Sequence, residues 1–142
     1  MLLSVFGIGN VWADSPANFT FTSKWNSNSQ TIAPITVTFG GTTIDQNGYR
    51  RFKNSATMSI AAENGYNITG ITVTFTTSNG KNFPTEGKIT ASPGSLSFDT
   101  SAGTCTWTGT ATNSIVLTKD ATGDEYDITG ISVAYTTAAP TE

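Results

Sequence analysis

Large apolar residues fall on alternate positions through two long stretches of the chain. Residues 66–77 read Tyr-Asn-Ile-Thr-Gly-Ile-Thr-Val-Thr-Phe-Thr-Thr, and residues 126–137 read Tyr-Asp-Ile-Thr-Gly-Ile-Ser-Val-Ala-Tyr-Thr-Thr, an offset of 126 − 66 = 60. A shorter echo, Ile-Thr-Val-Thr-Phe, lies at 35–39. Alternation places Ile71, Val73 and Phe75 on one side, and Ile131, Val133 and Tyr135 on one side of the second copy. This is the period of a strand with one buried face. β-Branched residues, which suit a pleated surface, fill most of the remaining slots. The glycine inside each copy, Gly70 and Gly130, marks a bulge or a close backbone approach within a long strand. The spacing is too large, and the intervening segments too unlike, for a solenoid. Two equivalent strands within one sandwich is the simpler reading.

The rest of the chain supplies shorter strands between turn signals. Phe19–Thr22 opens the series, and Lys24 to Thr31 is polar and reads as a loop around Trp25. Ile35–Phe39 follows Pro34 and stops at Gly40-Gly41, and Thr42 to Ile44 extends the pairing. Asn47-Gly48, a hairpin dipeptide, precedes Tyr49–Lys53. Thr57–Ala61 follows, with Met58 and Ile60 inward. Beyond the first repeat come Lys88–Ala91, Ser95–Phe98, Thr104–Thr108 and Asn113–Thr118, whose apolar positions are Ile115 and Leu117. No window shows helical periodicity with caps. About ten short antiparallel strands between turns predict an all-β sandwich or barrel.

Residues 1–13 differ in character. Leu2 to Ile8 form a short apolar run, and Val11-Trp12-Ala13 fits the small-residue rule of a signal-peptidase site. This segment is expected to be the remnant of a signal peptide, with Met1 an internal methionine of a longer precursor, and residues 14–142 a single domain. A genuine N-terminal strand is the alternative. The remaining 142 − 13 = 129 residues are enough for one core.

Composition narrows the chemistry. Charged residues make up 12% of the chain, the formal net charge is −3, and there is no His. The pI near 4.7 and the lack of a basic stripe argue against nucleic-acid binding. No apolar run is long enough to span a membrane. Without His, the commonest general base and the Ser-His and Cys-His nucleophile systems are missing, which disfavours an enzyme. Cys105 is the single cysteine, so an intrachain disulfide is excluded, and its strand-like flanks read as a buried, inert thiol.

Most carboxylates sit in turns, where they are ordinarily solvated. Asp120, Asp124 and Asp127, with the oxygens of Thr122, can be imagined around a Ca²⁺, although no calcium motif is present. Otherwise no cofactor is expected. The candidate ligand-binding residues are Trp25, Tyr49, Arg51 and Lys53. Trp25, in a loop rich in Asn and Ser, is either a lid on the end of the sandwich or a stacking platform for a sugar face. Trp107, between threonines, reads as core. If Phe52 points inward, Tyr49, Arg51 and Lys53 share the opposite face, either as a polar binding stripe or as an edge strand charged against aggregation.

The run Arg51-Phe52-Lys53, Met58-Ser59-Ile60, Ile68 to Phe75, Thr106-Trp107-Thr108-Gly109-Thr110-Ala111 and Ile128 to Tyr135 resembles a β-sandwich module of secreted and surface proteins of gut Bacteroidetes. The resemblance covers about Phe19 to Thr137. It implies export to the periplasm, the medium or the cell surface, and a jelly-roll-like sandwich. It implies no chemistry.

Two functions are compatible with these features. One is a secreted, non-catalytic binding module for a polysaccharide or other glycan. The other is a structural or adhesion subunit that assembles by strand pairing, through Thr-rich faces such as Thr72, Thr74 and Thr76. The exported chain is expected to begin at Asp14. Its intact mass checks this, and a mass that retains residues 1–13 refutes it.

Overall fold

A computed structural model describes residues 16–138 as two antiparallel sheets packed on one another, a β-sandwich. Residues 1–13, the expected leader, lie outside the described residues. The strands are β1 (Ala17–Thr20), β2 (Ser29–Ile32), β3 (Ile35–Gly40), β4 (Thr43–Gln46), β5 (Tyr49–Phe52), β6 (Thr57–Ala62), β7 (Tyr66–Thr76), β8 (Ile89–Ser92), β9 (Ser95–Asp99), β10 (Thr104–Thr108), β11 (Ser114–Lys119) and β12 (Tyr126–Thr137). A seven-stranded sheet runs β4-β5-β12-β7-β10-β9, with β1 also paired to β12. The other sheet runs β2-β3-β6-β11-β8. Among the described residues no helix is long and apolar enough to cross a membrane.

The two repeats are β7 and β12, and they pair with each other. Thr72 lies opposite Ser132, and each is the seventh residue of its copy (72 − 65 = 7, 132 − 125 = 7). Ile71 therefore faces Val133, and Val73 faces Ile131. Register shifts occur at both ends of this ladder, between Ile128 and Gly130 and between Ala134 and Tyr135. The unpaired residues are Thr129 in β12 and Thr69 in β7, each just before the repeat's glycine. Of the bulge or close approach expected at each glycine, the bulge is present, at equivalent places in the two strands. Each resets the strand's phase, so that Ile68 and Ile71, three apart, are both buried, as are Ile128 and Ile131.

The equivalence extends beyond these strands. Exchanging β3 with β8, β4 with β9, β5 with β10, β6 with β11 and β7 with β12 leaves the pairings among these ten strands unchanged. In the second sheet, Ser59 faces Val116, the third residues of β6 and β11. The domain is two five-strand halves wrapped around each other, to which β1 and β2 are additions. The sequence repeat shows only at β7 and β12, the two strands that carry the bulges and pair with each other.

Strand β2 lies in the segment read as a loop. All four of its residues are exposed, so no alternation marks it. It is ordered by pairing with β3, with Thr31 and Thr36 hydroxyls 2.7 Å apart and those of Ser29 and Thr38 3.0 Å apart. Asn47-Gly48 forms the β4–β5 turn, where Gly48 takes φ 100°.

The core lies between the sheets. It includes Phe19, Ile35, Val37, Phe39, Phe52, Met58, Ile60, Ile71, Val73, Phe75, Ile115, Leu117, Ile131 and Val133. Trp107 is buried, and its indole N–H donates to Pro93 O at 2.8 Å. The tight β8–β9 turn closes over that indole. A Cβ at Gly94, where φ is 86°, would run into Trp107 and Thr108 O. Val73 and Val133 are 1% and 0% exposed, whereas Thr74 is half-buried on the outer face. Val73→Ala and Val133→Ala should each destabilise by about 1–3 kcal/mol, and Thr74→Ala should change little. Chemical denaturation of the three variants checks the register, and a costlier Thr74→Ala would show it to be off by one.

Candidate functional site

Strand β5 separates two polar systems, one on each face, because its residues alternate between them. Arg50 and Phe52 point inward and are fully buried, while Tyr49 and Arg51 are half-buried on the outside. The strand is not a sheet edge. It lies between β4 and β12, so the expectation of a charged edge that blocks aggregation is corrected by the pairing.

On the inner face, Arg50 fastens the segment 21–28 over the end of the core. Its Nε donates to Thr43 Oγ1 at 3.1 Å, one terminal nitrogen to Ser27 O at 3.1 Å and the other to Asn28 Oδ1 at 2.7 Å. The guanidinium carbon stands 4.5 Å from the centre of the Phe39 ring, and Asp45 is 3.5 Å from the nearest nitrogen. Burial lowers the Arg50 pKa, and the field of Asp45 opposes that. Asp45 also receives the backbone N–H groups of Trp25 (3.1 Å) and Asn26 (2.8 Å).

Trp25 belongs to this system. Its ring stacks on Phe21 with centroids 4.8 Å apart and planes 9° from parallel, and it lies 5.5 Å from Phe39. Its indole N–H donates to Thr20 O at 2.9 Å. Trp25 is the lid on the aromatic cluster, and the structure does not bring it to the other three candidate residues.

Those three come together on the outer face. Arg51 grips Asp127 of β12 in a bidentate pair, Nε to Oδ1 at 2.7 Å and a terminal nitrogen to Oδ2 at 3.0 Å. This bond raises the Arg51 pKa. Asn79 adds a third donor to Asp127 at 3.3 Å, and the carboxylate is completely covered. The Arg51 guanidinium stands 5.2 Å from the centre of the Tyr49 ring. Lys53 and Lys81 both approach Glu125, at 3.4 and 3.5 Å. Burial pushes the Glu125 carboxyl up, but the two lysines outweigh it and hold the group below its ordinary range.

Beyond Lys53 the face opens into a polar cleft of about 260 Å³, lined by Gly80, Lys81, Asn82, Gly123, Asp124 and Glu125. One wall is the segment 77–88 that joins the two halves, and the other is the connection 120–125 between β11 and β12. Asn82 donates to Asp124 Oδ2 at 2.8 Å. The second wall has no counterpart in the first half. The equivalent β6–β7 connection has three residues (63–65) where β11–β12 has six (120–125).

The carboxylates imagined around a calcium ion do not converge. Asp120 pairs with Lys119 and Lys88, Asp124 with Asn82, and Asp127 with Arg51. Thr122 O accepts from Lys119 Nζ at 3.0 Å. Among the described residues no three Asp, Glu, His or Cys side chains form a metal-sized group. The hydrogen bond from Lys119 draws the Asp120 carboxyl down. Burial pushes the Cys105 thiol up to about 12, so it stays protonated and unreactive near neutral pH.

Alternation signalled Tyr49, Arg51 and Lys53 as one face. It equally placed Arg50 inward, a buried charge that its phase with Phe52 could have revealed. Lys81, Asn82 and Asn79 lie in a loop without periodicity and carried no signal. Compared with known proteins, the chain matches no family model and no curated protein sequence.

Arg51→Ala should cost about 3 kcal/mol of stability, because it leaves Asp127 buried without its cation. Lys53→Ala, which removes a long, half-buried contact and leaves Glu125 its Lys81 neighbour, should cost under about 1 kcal/mol. Equilibrium unfolding at neutral pH compares them, and equal costs would show that the Asp127 site tolerates an unpaired charge.

Proposed function

We propose that the protein is an exported, non-catalytic binding module for carbohydrate, and that the cleft between segments 77–88 and 120–125 is its ligand site. One observation carries this reading. The connection that departs most in length from the twofold plan is the one that supplies Asp124 and Glu125 to the cleft. Connections of the frame are free to vary, and binding residues concentrate on such loops. Lys81, Asn82, Asp124 and Glu125 offer ammonium, amide and carboxylate groups, the partners that sugar hydroxyls use. From Lys53 the stripe continues through Arg51 to Tyr49, four residues or about 13 Å of extended strand, so a longer ligand can lie along β5. The apolar leader pattern and the resemblance to a surface module support export.

A second reading, a structural subunit that assembles by strand addition, draws support from a different asymmetry. β2 covers the outer edge of β3, whereas β8, the equivalent of β3, has no strand on its outer edge among the described residues. Light scattering after size exclusion tests it, since strand addition between copies requires a dimer or larger.

Retention on immobilised polysaccharides tests the first reading. Wild type should be retarded on at least one glycan. Asn82→Ala should lose about 1–2 kcal/mol of binding with an unchanged melting temperature, because the residue is exposed. Trp25→Ala should do the reverse, losing about 2 kcal/mol of stability while the folded fraction binds normally. No retention of wild type on any polysaccharide tried would refute the proposal.

A further inference from the structure

The charges around the cleft restrict what it can accept. The lining carries one cation, Lys81, and two anions, Asp124 and Glu125, and Lys53, 3.4 Å from Glu125 at the rim, brings the sum to 2 − 2 = 0. Asp120, the next acidic residue, is turned to Lys119 and Lys88 and does not line the cleft. Both signs are nevertheless present on the walls. A carboxylate or sulfate on a ligand would face Asp124 and would have to compete with Glu125 for the lysines. A ligand ammonium would face Lys81. Juxtaposed like charges are a strong ground for rejection.

A hydroxyl escapes both penalties, since it accepts from an ammonium and donates to a carboxylate. The wall groups have capacity left for it. The Lys53 and Lys81 contacts with Glu125, at 3.4 and 3.5 Å, are longer than the roughly 2.7–2.9 Å of a charge-assisted hydrogen bond, so the lysine N–H groups can turn to a ligand. Asp124 has one oxygen held by Asn82 and the other facing no cation close enough to pair among the described residues. The volume of about 260 Å³ is below the roughly 300–1,000 Å³ of pockets for drug-sized ligands, which suits one sugar ring.

We infer that the cleft selects an uncharged sugar ring, with Lys81 donating to ring hydroxyls and Asp124 accepting from them, and that these same two residues exclude anionic and cationic sugars. This inference rests on the carbohydrate reading above, and it adds the class of sugar and the residues that decide it.

Affinity electrophoresis of the full chain separates the two levels. The probes are a neutral β-glucan, a neutral mannan, alginate as a polyuronate, and chitosan as a polyamine. Wild type should bind one of the neutral polymers at least about tenfold more tightly than either charged one, with little change as salt rises. Asp124→Asn should narrow the gap to alginate, and Lys81→Gln should narrow the gap to chitosan. Circular dichroism of both variants confirms that they are folded. Alginate or chitosan binding as strong as the neutral polymers, or variants that leave the discrimination unchanged, overturns this inference while leaving the binding module standing. No binding to any of the four probes removes the reading beneath it as well.

Discussion

The pairing of one sequence motif with a second copy of itself sets the terms for the rest of the domain. Antiparallel self-pairing about Thr72 and Ser132 makes every cross-strand contact occur twice, so Ile71 meets Val133 as Val73 meets Ile131. Such pairs are the unit of sheet stabilisation. The bulges at Thr69 and Thr129 have to match for the same reason. An unmatched bulge would put one strand a residue out of phase and turn its apolar set to the solvent. With β7 and β12 fixed at the centre of one sheet, β6 and β11 pair at the centre of the other, and the outer strands follow in mirrored order on each side.

Buried charge is used at the margins of this frame, and always with partners. Arg50 has each of its three nitrogens bound and an aromatic ring beside it. Lys119, whose side chain is fully buried, reaches two backbone carbonyls and Asp120. Asp127 accepts three hydrogen bonds. Each such group is expensive to bury alone and tolerable when all its bonds are made. Their effect is geometric. Arg50 and Asp45 hold a segment of little intrinsic order over the aromatic end of the core, and Arg51, Asp127 and Asn79 hold the start of segment 77–88 against the sheet.

Departures from the twofold plan are where the two halves acquire different properties. At the second position of the repeat, Asn67 in one copy is Asp127 in the other. Only Asp127 has an arginine across the ladder. The longer connection before β12 stands above that pair, with Lys53 and Lys81 meeting at Glu125. A frame that is satisfied twice by the same residues leaves its connections free to differ, and the concentration of charge at one end of one face follows from that freedom.

Local pattern was enough to show the all-β class, the inward phase of β3, β6, β7, β11 and β12 and the turn at Asn47-Gly48, and it marked Gly70 and Gly130 as places of a bulge or a close backbone approach. Each of these is written in residues two to four apart, in steric preferences and alternation that act before any long-range contact forms. Strand β2 was not legible, since with both faces exposed it has no alternation and exists only by pairing with β3. Whether Trp25 would be a platform or a lid could not be read from a polar loop. Phe21, Asp45 and Arg50, brought to it by the hairpin and the sandwich, decided that. Tyr49, Arg51 and Lys53 were visible as one face, but Asp127, Asn79, Glu125 and Lys81, which complete their ion-pair systems, lie at least 26 residues away in the chain. Side-chain charge carries no information about which distant group will stand opposite, so the cleft and its balance of charge were settled only when β5, β12 and the segment joining the two halves met in space.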